Sequence, residues 1–333
     1  MRIVALEEHF AFPDLVSRIP ASTIAAWGWP EVTPPHLRHS ERLADVGEKR
    51  LRDMDEAGVT VQVLSSAGAG ADLLHGADGI TYARDQNDRL AQCVGRFPDR
   101  FGGFAHLPMT SPDAAADELE RCITELGFRG ALINGMTQGR FLDHPDFEPV
   151  LGRAELLDVP IYLHPGLPPA AVRHAYYDDL PGQTGFLLSI SGWGWHAETA
   201  LHVLRLVLSG RLDSHPRLKL IVGHMGEGLP AMLSRFERVF TPVTSTYLSR
   251  TVSQTIRDQV WITTSGMFDA ASFSAALLAF GTDRILFSVD YPYAPNLAGR
   301  RFLDSLAVCA TDKMKIAHGN ADGLLRLQAG LKR

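Results

Sequence analysis

Short apolar segments alternate along the chain with longer segments in which apolar residues recur at helical spacing. The short segments are predicted strands, at residues 3–6, 59–64, 101–107, 130–133, 160–163, 218–222, 260–263 and 284–289. The longer segments are predicted helices, at residues 41–57, 81–96, 112–126, 147–157, 197–209, 229–240, 270–280, 298–310 and 313–327. Strands that alternate with helices in this way are typical of a parallel sheet.

Eight strand and helix pairs favour a closed (β/α)₈ TIM barrel with long insertion loops, over an open doubly wound sheet. The doubly wound alternative is weakened because no GxGxxG motif follows the first strand. We therefore expect one barrel domain over residues 1–333. Two long connections, 11–40 and 165–196, carry tryptophans and prolines and are expected to form lids, binding walls or subunit contacts.

Composition and charge limit the partners of the protein. The chain has 333 residues, 45% of them hydrophobic, and a formal net charge of -6 without a basic block. This balance argues against nucleic acid and anionic membranes as partners. The three cysteines, Cys93, Cys122 and Cys309, form no CxxC pair, and no apolar run is long enough for a signal peptide or a membrane span. We expect a cytoplasmic protein with free thiols.

Polar side chains of the kind that bind metals follow several predicted strands. The first strand leads into Glu7 and His9, the fifth into His164, the sixth into His224 and the eighth into Asp290. Because catalytic residues of barrel enzymes lie at the carboxyl ends of the strands, these side chains should meet at one mouth. Glu7 and His9 are two residues apart on an extended segment, so both can point the same way.

Each of these residues alone has an ordinary explanation, such as a turn or a helix cap, but the joint pattern predicts a metal site. Two imidazoles and two carboxylates favour zinc, with manganese as the alternative, and make magnesium less suitable. The predicted ligands of one divalent ion are Glu7, His9, His164 and Asp290. His196, beside the second long connection, is expected to lie outside the site.

Several segments resemble one known family. They are 5–10 (ALEEHF), 127–135 (GFRGALING), 162–165 (YLHP), 198–200 (ETA), 223–230 (GHMGEGLP), 262–266 (ITTSG) and 284–288 (RILFS). These segments are similar to the dihydroxybenzoate and γ-resorcylate decarboxylases, in the aminocarboxymuconate-semialdehyde decarboxylase branch of the amidohydrolase superfamily. The resemblance extends over about residues 1–328. The segment 11–40, which lines the substrate pocket in that family, departs most.

The resemblance implies a barrel, one divalent ion, non-oxidative decarboxylation of a small aromatic carboxylic acid, and a homo-oligomer, either dimer or tetramer. By position, His224 and Glu227 resemble a catalytic pair beside the metal. Three further residues are expected to bind substrate by resemblance. Asn134 matches a position that reaches the substrate of a neighbouring subunit, and Arg235 matches an arginine of the helix that follows the catalytic pair. Trp195 falls where the resorcylate enzymes have an aromatic wall, although theirs is a phenylalanine.

Loss of CO₂ requires protonation of the ring carbon that bears the carboxylate, and we expect Asp290 to donate that proton. The main alternative is a mononuclear hydrolase of a lactone or cyclic amide, or a hydratase, that uses metal-activated water. Binuclear amidohydrolases resemble one another in an HxH motif on strand 1 and a lysine after strand 4, whereas this chain has Glu7-x-His9 and Asn134. A non-catalytic metal-binding barrel is the third alternative, and it leaves the neighbouring acid and base groups without a role.

Overall fold

The computed structural model describes residues 1–34, 37–68 and 70–327. Its parallel strand segments are β1 (Val4–Phe10), β2 (Val61–Ser66), β3 (Phe101–Gly103), β4 (Ala105–His106), β5 (Ala131–Asn134), β6 (Pro160–His164), β7 (Lys219–Val222), β8 (Val260–Thr263) and β9 (Ile285–Leu286). They pair in the orders β1-β2-β3 and β4-β5-β6-β7-β8-β9.

These segments form a closed barrel. Only Phe104 separates β3 from β4, so the two are parts of one barrel strand. On the other side, a parallel bridge between Glu8 and Tyr291 joins β1 to the segment after β9. The predicted (β/α)₈ barrel is therefore confirmed, with all eight predicted strands in place within the described residues.

Helices surround this barrel. The longer ones are α4 (Glu48–Ala57), α5 (Gly76–Arg96), α6 (Pro112–Thr124), α7 (Glu148–Leu157), α10 (Gly194–Leu208), α12 (Leu229–Thr244), α13 (Val252–Gln259), α14 (Ala270–Phe280) and α15 (Asn296–Ser305). The shorter ones are α1 (Pro13–Val16), α2 (Ala21–Trp27), α3 (Ser40–Ala44), α8 (Ala170–Tyr176), α9 (Thr184–Ser189), α11 (Arg211–Ser214), α16 (Ala310–Met314) and α17 (Asn320–Leu325). No helix in the described ranges is long and apolar enough to cross a membrane.

Three helix predictions were wrong in extent, and one of them, 298–310, runs past the end of α15 at Ser305. The predicted helix 41–57 is broken between α3 and α4, because Asp45 is extended and its carboxylate accepts a hydrogen bond from the backbone N–H of Arg50 at 2.7 Å. The carboxylate thus caps the start of α4. The predicted terminal helix 313–327 is interrupted by a π-helical turn at Lys315–Gly319.

The inside of the barrel is filled from its amino end. Val4, Leu6, Tyr162 and Leu286 belong to an interior cluster. Ala321, Leu324 and Leu325 of α17 are also members, so this last helix closes the bottom of the barrel. The other end is left for polar side chains, as expected for a barrel enzyme.

Candidate active site

A bulge in β1 aims two polar residues into the mouth of the barrel. The pairing of β1 with β2 shifts register between Ala5 and Glu8. Leu6 packs inside the barrel, and its neighbour Glu7 also points inward, where it meets Tyr162. A bulge places consecutive side chains on one face, and normal alternation then returns His9 to the same side as Glu7.

The four predicted metal ligands converge at this mouth. The Nε2 atom of His164 lies 3.2 Å from Oε1 of Glu7, and the Nε2 atom of His9 lies 3.3 Å from Oδ1 of Asp290. Glu7, His9 and His164 each offer a ligand atom within 4.8 Å of the others. The residues come from β1, from the last position of β6 and from the loop after β9.

The imidazoles are oriented for metal binding. Nδ1 of His164 lies 2.9 Å from the carbonyl oxygen of Pro165. Because a carbonyl only accepts hydrogen bonds, Nδ1 carries the proton and the lone pair of Nε2 faces the centre. His9 has a similar outer contact, with its Nδ1 3.3 Å from the hydroxyl of Ser65. Such outer partners commonly orient histidine ligands of metals.

Glu7 provides the strongest test of whether a cation fits. Its Oε2 accepts a short hydrogen bond from the Tyr162 hydroxyl. Its Oε1 is fully buried and has no hydrogen-bond partner within the described residues. A buried carboxylate oxygen without a partner is costly, and a divalent cation between Glu7, His9, His164 and Asp290 would satisfy it. The donor set therefore fits one such ion.

Electrostatics keep Glu7 ionised. Burial alone would raise the pKa of its carboxyl, but the imidazoles of His224, His164 and His9 outweigh burial and hold the pKa far below its usual range. An ionised oxygen is the form that binds a metal.

Glu8 supports the site from behind and was not predicted. Its Oε1 accepts hydrogen bonds from the backbone N–H of Val289 at 2.9 Å and from the Ser288 hydroxyl at 3.1 Å. Its Oε2 accepts from the N–H of Tyr291 at 3.2 Å. Glu8 thus accepts hydrogen bonds from both residues that flank Asp290, Val289 and Tyr291, and so fixes the backbone that carries Asp290. Burial raises the pKa of Glu8 to about 8.

Arg50 was also missed by the sequence reasoning. This arginine is fully buried, and it donates to the backbone carbonyl of His9 at 2.5 Å. The only sequence signal was a charged residue on the inward face of a predicted helix, which does not distinguish it from an exposed one. Its contact fixes the end of β1 that carries the predicted ligands Glu7 and His9.

His224 and Glu227 form a hydrogen-bonded pair beside the proposed ligands. Nδ1 of His224 lies 2.7 Å from Oε1 of Glu227. Nε2 of His224 points toward the proposed ligands, and it lies 3.8 Å from Oε1 of Glu7 and 3.8 Å from Oδ2 of Asp290. Burial alone would lower the pKa of His224, but the carboxylates of Glu227 and Glu7 outweigh burial and raise it well above its ordinary value.

The backbone at these residues is unusual. His224, Glu227 and Asp290 have φ of 48°, 54° and 72°, in the left-handed region that side-chain-bearing residues rarely adopt. Such strain persists only where the surroundings enforce it, and it is common at functional sites. Here it directs the three side chains into the barrel mouth.

A cavity of about 320 Å³ lies over the cluster. His9, His164, His224 and Asp290 form its polar part, and Asn134 and Trp195 also line it. Trp27 and Trp29 of the first long connection complete an aromatic wall, with parallel rings 6.0 Å apart. Both long connections therefore contribute to the pocket.

Arg235 is placed differently from the other predicted site residues. It is exposed on α12 and does not line the cavity of this chain within the described residues. The sequence assigned it a substrate-binding position by resemblance only. Within one chain, the geometry brings together all the other predicted residues.

Tyr162→Phe is expected to weaken metal binding by about 10–100-fold, because the variant frees Glu7 to rotate. Competitive titration with a metal indicator would measure the change. Tyr247→Phe is the matched control, since that exposed tyrosine donates to the Leu208 carbonyl far from the site. Equal metal affinity in wild type and Tyr162→Phe would contradict the orienting role of Tyr162.

Comparison with known proteins identifies close relatives. A family model described as amidohydrolase matches residues 19–327. The chain is 37% identical over 339 residues to a γ-resorcylate decarboxylase of Rhodococcus jostii, covering 97% of this chain and 98% of the relative. A crystal structure of 2,6-dihydroxybenzoate decarboxylase complexed with 2,6-dihydroxybenzoate matches with TM-score 0.88 and 36% identity, covering 99% and 100% of the two chains.

A second solved structure adds a metal to the comparison. It is a dihydroxybenzoic acid decarboxylase from Polaromonas sp. JS666 with bound manganese and the inhibitor 2-nitroresorcinol. The TM-score is 0.88 and the identity 35%, covering 99% of this chain and 98% of that one.

Proposed function

The chain belongs to the amidohydrolase family, and we propose that it releases CO₂ from a 2,6-dihydroxybenzoate-type acid by protonating the ring carbon from Asp290. It is a metal-dependent carboxy-lyase of a dihydroxybenzoate. The observation that carries the proposed chemistry is that Asp290, itself a proposed metal ligand, lines one cavity together with His224.

Glu7, His9, His164 and Asp290 are the proposed ligands of the divalent ion. When bound, the ion would supply a Lewis acid that orients the substrate through its carboxylate and ortho hydroxyl oxygens. Two imidazoles and two carboxylates suit zinc and manganese. The manganese bound by the Polaromonas relative makes that metal the first one to test.

Asp290 carries the proton in the proposed reaction. The ortho hydroxyl of the bound substrate gives its proton to the Asp290 carboxylate. Asp290 then passes this proton to the ring carbon that bears the carboxylate, and aromaticity is lost. The carbon–carbon bond breaks, its electron pair restores the ring, and CO₂ leaves. The phenolate product takes one proton from water, so each turnover consumes one proton.

His224 and Glu227 orient the substrate and assist proton movement. Glu227 accepts the Nδ1 proton of His224, so Nε2 is the atom that faces the cavity. The Nε2 atom lies 3.8 Å from Oδ2 of Asp290, so it can form a hydrogen bond to an oxygen of a substrate bound beside Asp290. Trp195 and Asn134 are proposed to contact the substrate, since both line the cavity.

Arg235 is assigned to a contact between copies in a proposed homo-oligomer. The exposed apolar side chains Met232, Val239 and Val243 lie on α12 close to Arg235 at helical spacing. An apolar strip of this kind favours association. A second copy packed on α12 would bring further side chains to Arg235, which is exposed in the single chain.

The substrate proposal is tested with two isomers. The manganese-loaded enzyme is expected to release CO₂ and resorcinol from 2,6-dihydroxybenzoate. It should leave 3,5-dihydroxybenzoate unchanged, because that isomer has no ortho hydroxyl to give a proton to Asp290. Carbon dioxide and product are followed by a coupled assay and by chromatography. Equal turnover of both isomers, or of neither, would contradict the proposal.

A further inference from the structure

The carboxylate of Glu227 lies between two imidazoles rather than one. Its Oε1 contacts Nδ1 of His224 at 2.7 Å, and its Oε2 makes a short hydrogen bond with Nδ1 of His196. His196 lies on α10 and Glu227 on the loop before α12, so the contact joins two separate elements. His196 was expected to lie outside the site, so its contact with Glu227 corrects that expectation.

Each ring nitrogen of His196 lies within hydrogen-bond distance of an oxygen atom. Its Nε2 lies 2.9 Å from the carbonyl oxygen of Ser191, which can only accept. Burial alone would raise the pKa of Glu227, but His224 and His196 outweigh burial and lower it, so its carboxylate also accepts. The ring of His196 is thus held at both ends, and it anchors the Glu227 oxygen that His224 does not use.

The short contacts favour hydrogen bonds over a second metal ion. His196, His224 and Glu227 are close enough together to be considered as ligands. Two ligands of one tetrahedral zinc ion, at bond lengths of about 2.1 Å, lie roughly 3.4 Å apart. Both nitrogen-to-oxygen contacts here are shorter than that, as expected where a proton lies between the atoms.

We propose that His196 is a positioning residue for decarboxylation, which acts through Glu227 to fix the direction of the His224 ring. This role rests on the proposed function. Glu227 is fully buried and its backbone is left-handed, so its side chain depends on these two partners for orientation. Without His196, one oxygen of Glu227 loses its partner, and the Nε2 atom of His224 is no longer held toward Asp290.

The first test is the kinetics of His196→Ala. We expect kcat for 2,6-dihydroxybenzoate to fall by about 10–100-fold, as for other outer contacts of a functional group, with KM within about twofold. His196→Gln should recover much of kcat, because its amide N–H can still donate to Glu227. His174→Ala is the matched control, since His174 is 86% exposed and pairs only with Asp178 in the described structure. Unchanged kcat in His196→Ala would overturn the proposal.

A double-mutant cycle tests whether His196 acts through Glu227. In a Glu227→Gln background, the further change His196→Ala should have no additional effect on kcat. Independent, multiplying effects would overturn the proposal. If His196→Ala fails to fold, His196→Gln replaces it in the cycle, and any effect of His196→Gln on kcat in the wild-type background should disappear in the Glu227→Gln background.

An NMR measurement separates this inference from the decarboxylase proposal. In substrate-free enzyme, the Nδ1–H proton of His224 should give a downfield signal that broadens or shifts in His196→Ala. An unchanged signal would overturn the positioning role even if the enzyme lacks the proposed activity. Failure of the wild type to release CO₂, with the NMR change present, would contradict only the proposed function.

Discussion

Asp290→Asn is expected to lower decarboxylation by roughly 10²–10⁴-fold while the barrel stays folded, because the amide cannot deliver a proton to the ring. Loss of a general acid removes the step that creates the electron sink. Asparagine has nearly the same size as aspartate and its oxygen can still face His9 and a metal ion. The effect should therefore appear in kcat more than in the binding of a substrate analogue.

Hydrogen exchange isolates the proton step. In D₂O, wild type should exchange the ring proton of resorcinol at the carbon between the hydroxyls, and Asp290→Asn should leave it at the uncatalysed rate. Metal content and binding of 2-nitroresorcinol are measured on the same samples, so that a lost ion is not mistaken for a lost acid. Asp283→Asn is the control, since Asp283 is 74% exposed and pairs with Lys315 on the surface. Fast exchange in metal-loaded Asp290→Asn would contradict the role of Asp290.

The barrel and the convergence of the proposed metal ligands were predictable from the sequence for a simple reason. Parallel strands that alternate with helices all end at the same rim, so residues that follow the strands must meet there. This argument placed His164 and Asp290 near Glu7 although they are distant in sequence. The prediction needed only the order of strands and helices along the chain, and the pattern of apolar residues gives that order.

The supporting contacts were not predictable because they depend on local departures from regular geometry. The bulge in β1 decides that Glu7 faces inward and Glu8 outward, and no residue type in this segment requires it. The left-handed backbone at Asp290 could not be predicted, because such a conformation is usually recognised by a glycine and this position holds an aspartate. Arg50 lies on a helix, where a charged residue is usually exposed.

The position of His196 shows the same limit in the long connections. Its distance from Glu227 depends on how the segment 165–196 folds across the barrel mouth. That segment contains α8 and α9, whose helices the apolar pattern does not predict. The regular spacing of residues on a strand allows their positions to be predicted, whereas the positions of residues on long connections depend on how those connections pack in the folded protein.

Removal of the metal is expected to abolish decarboxylation and to lower the free energy of unfolding. Without the cation, the buried Oε1 of Glu7 has no partner within the described residues. The Nε2 lone pairs of His9 and His164 also lose the ion that they are proposed to bind. Lewis-acid charge stabilisation is worth several kcal/mol, so activity should fall by more than about 100-fold. Adding manganese back at 100 times its Kd should stabilise the fold by about 2.7 kcal/mol through binding to the native state alone.

His164→Ala tests the same site without a chelator. Because it removes one proposed ligand, this variant should bind manganese weakly and should show little rise in unfolding temperature when the metal is added. Calorimetry with and without manganese provides a readout that does not require activity. His174→Ala should respond like wild type, since that histidine is exposed on α8. A His164→Ala protein that gains as much stability from manganese as wild type would place the ion elsewhere, and the grouping of Glu7, His9, His164 and Asp290 would have to be abandoned.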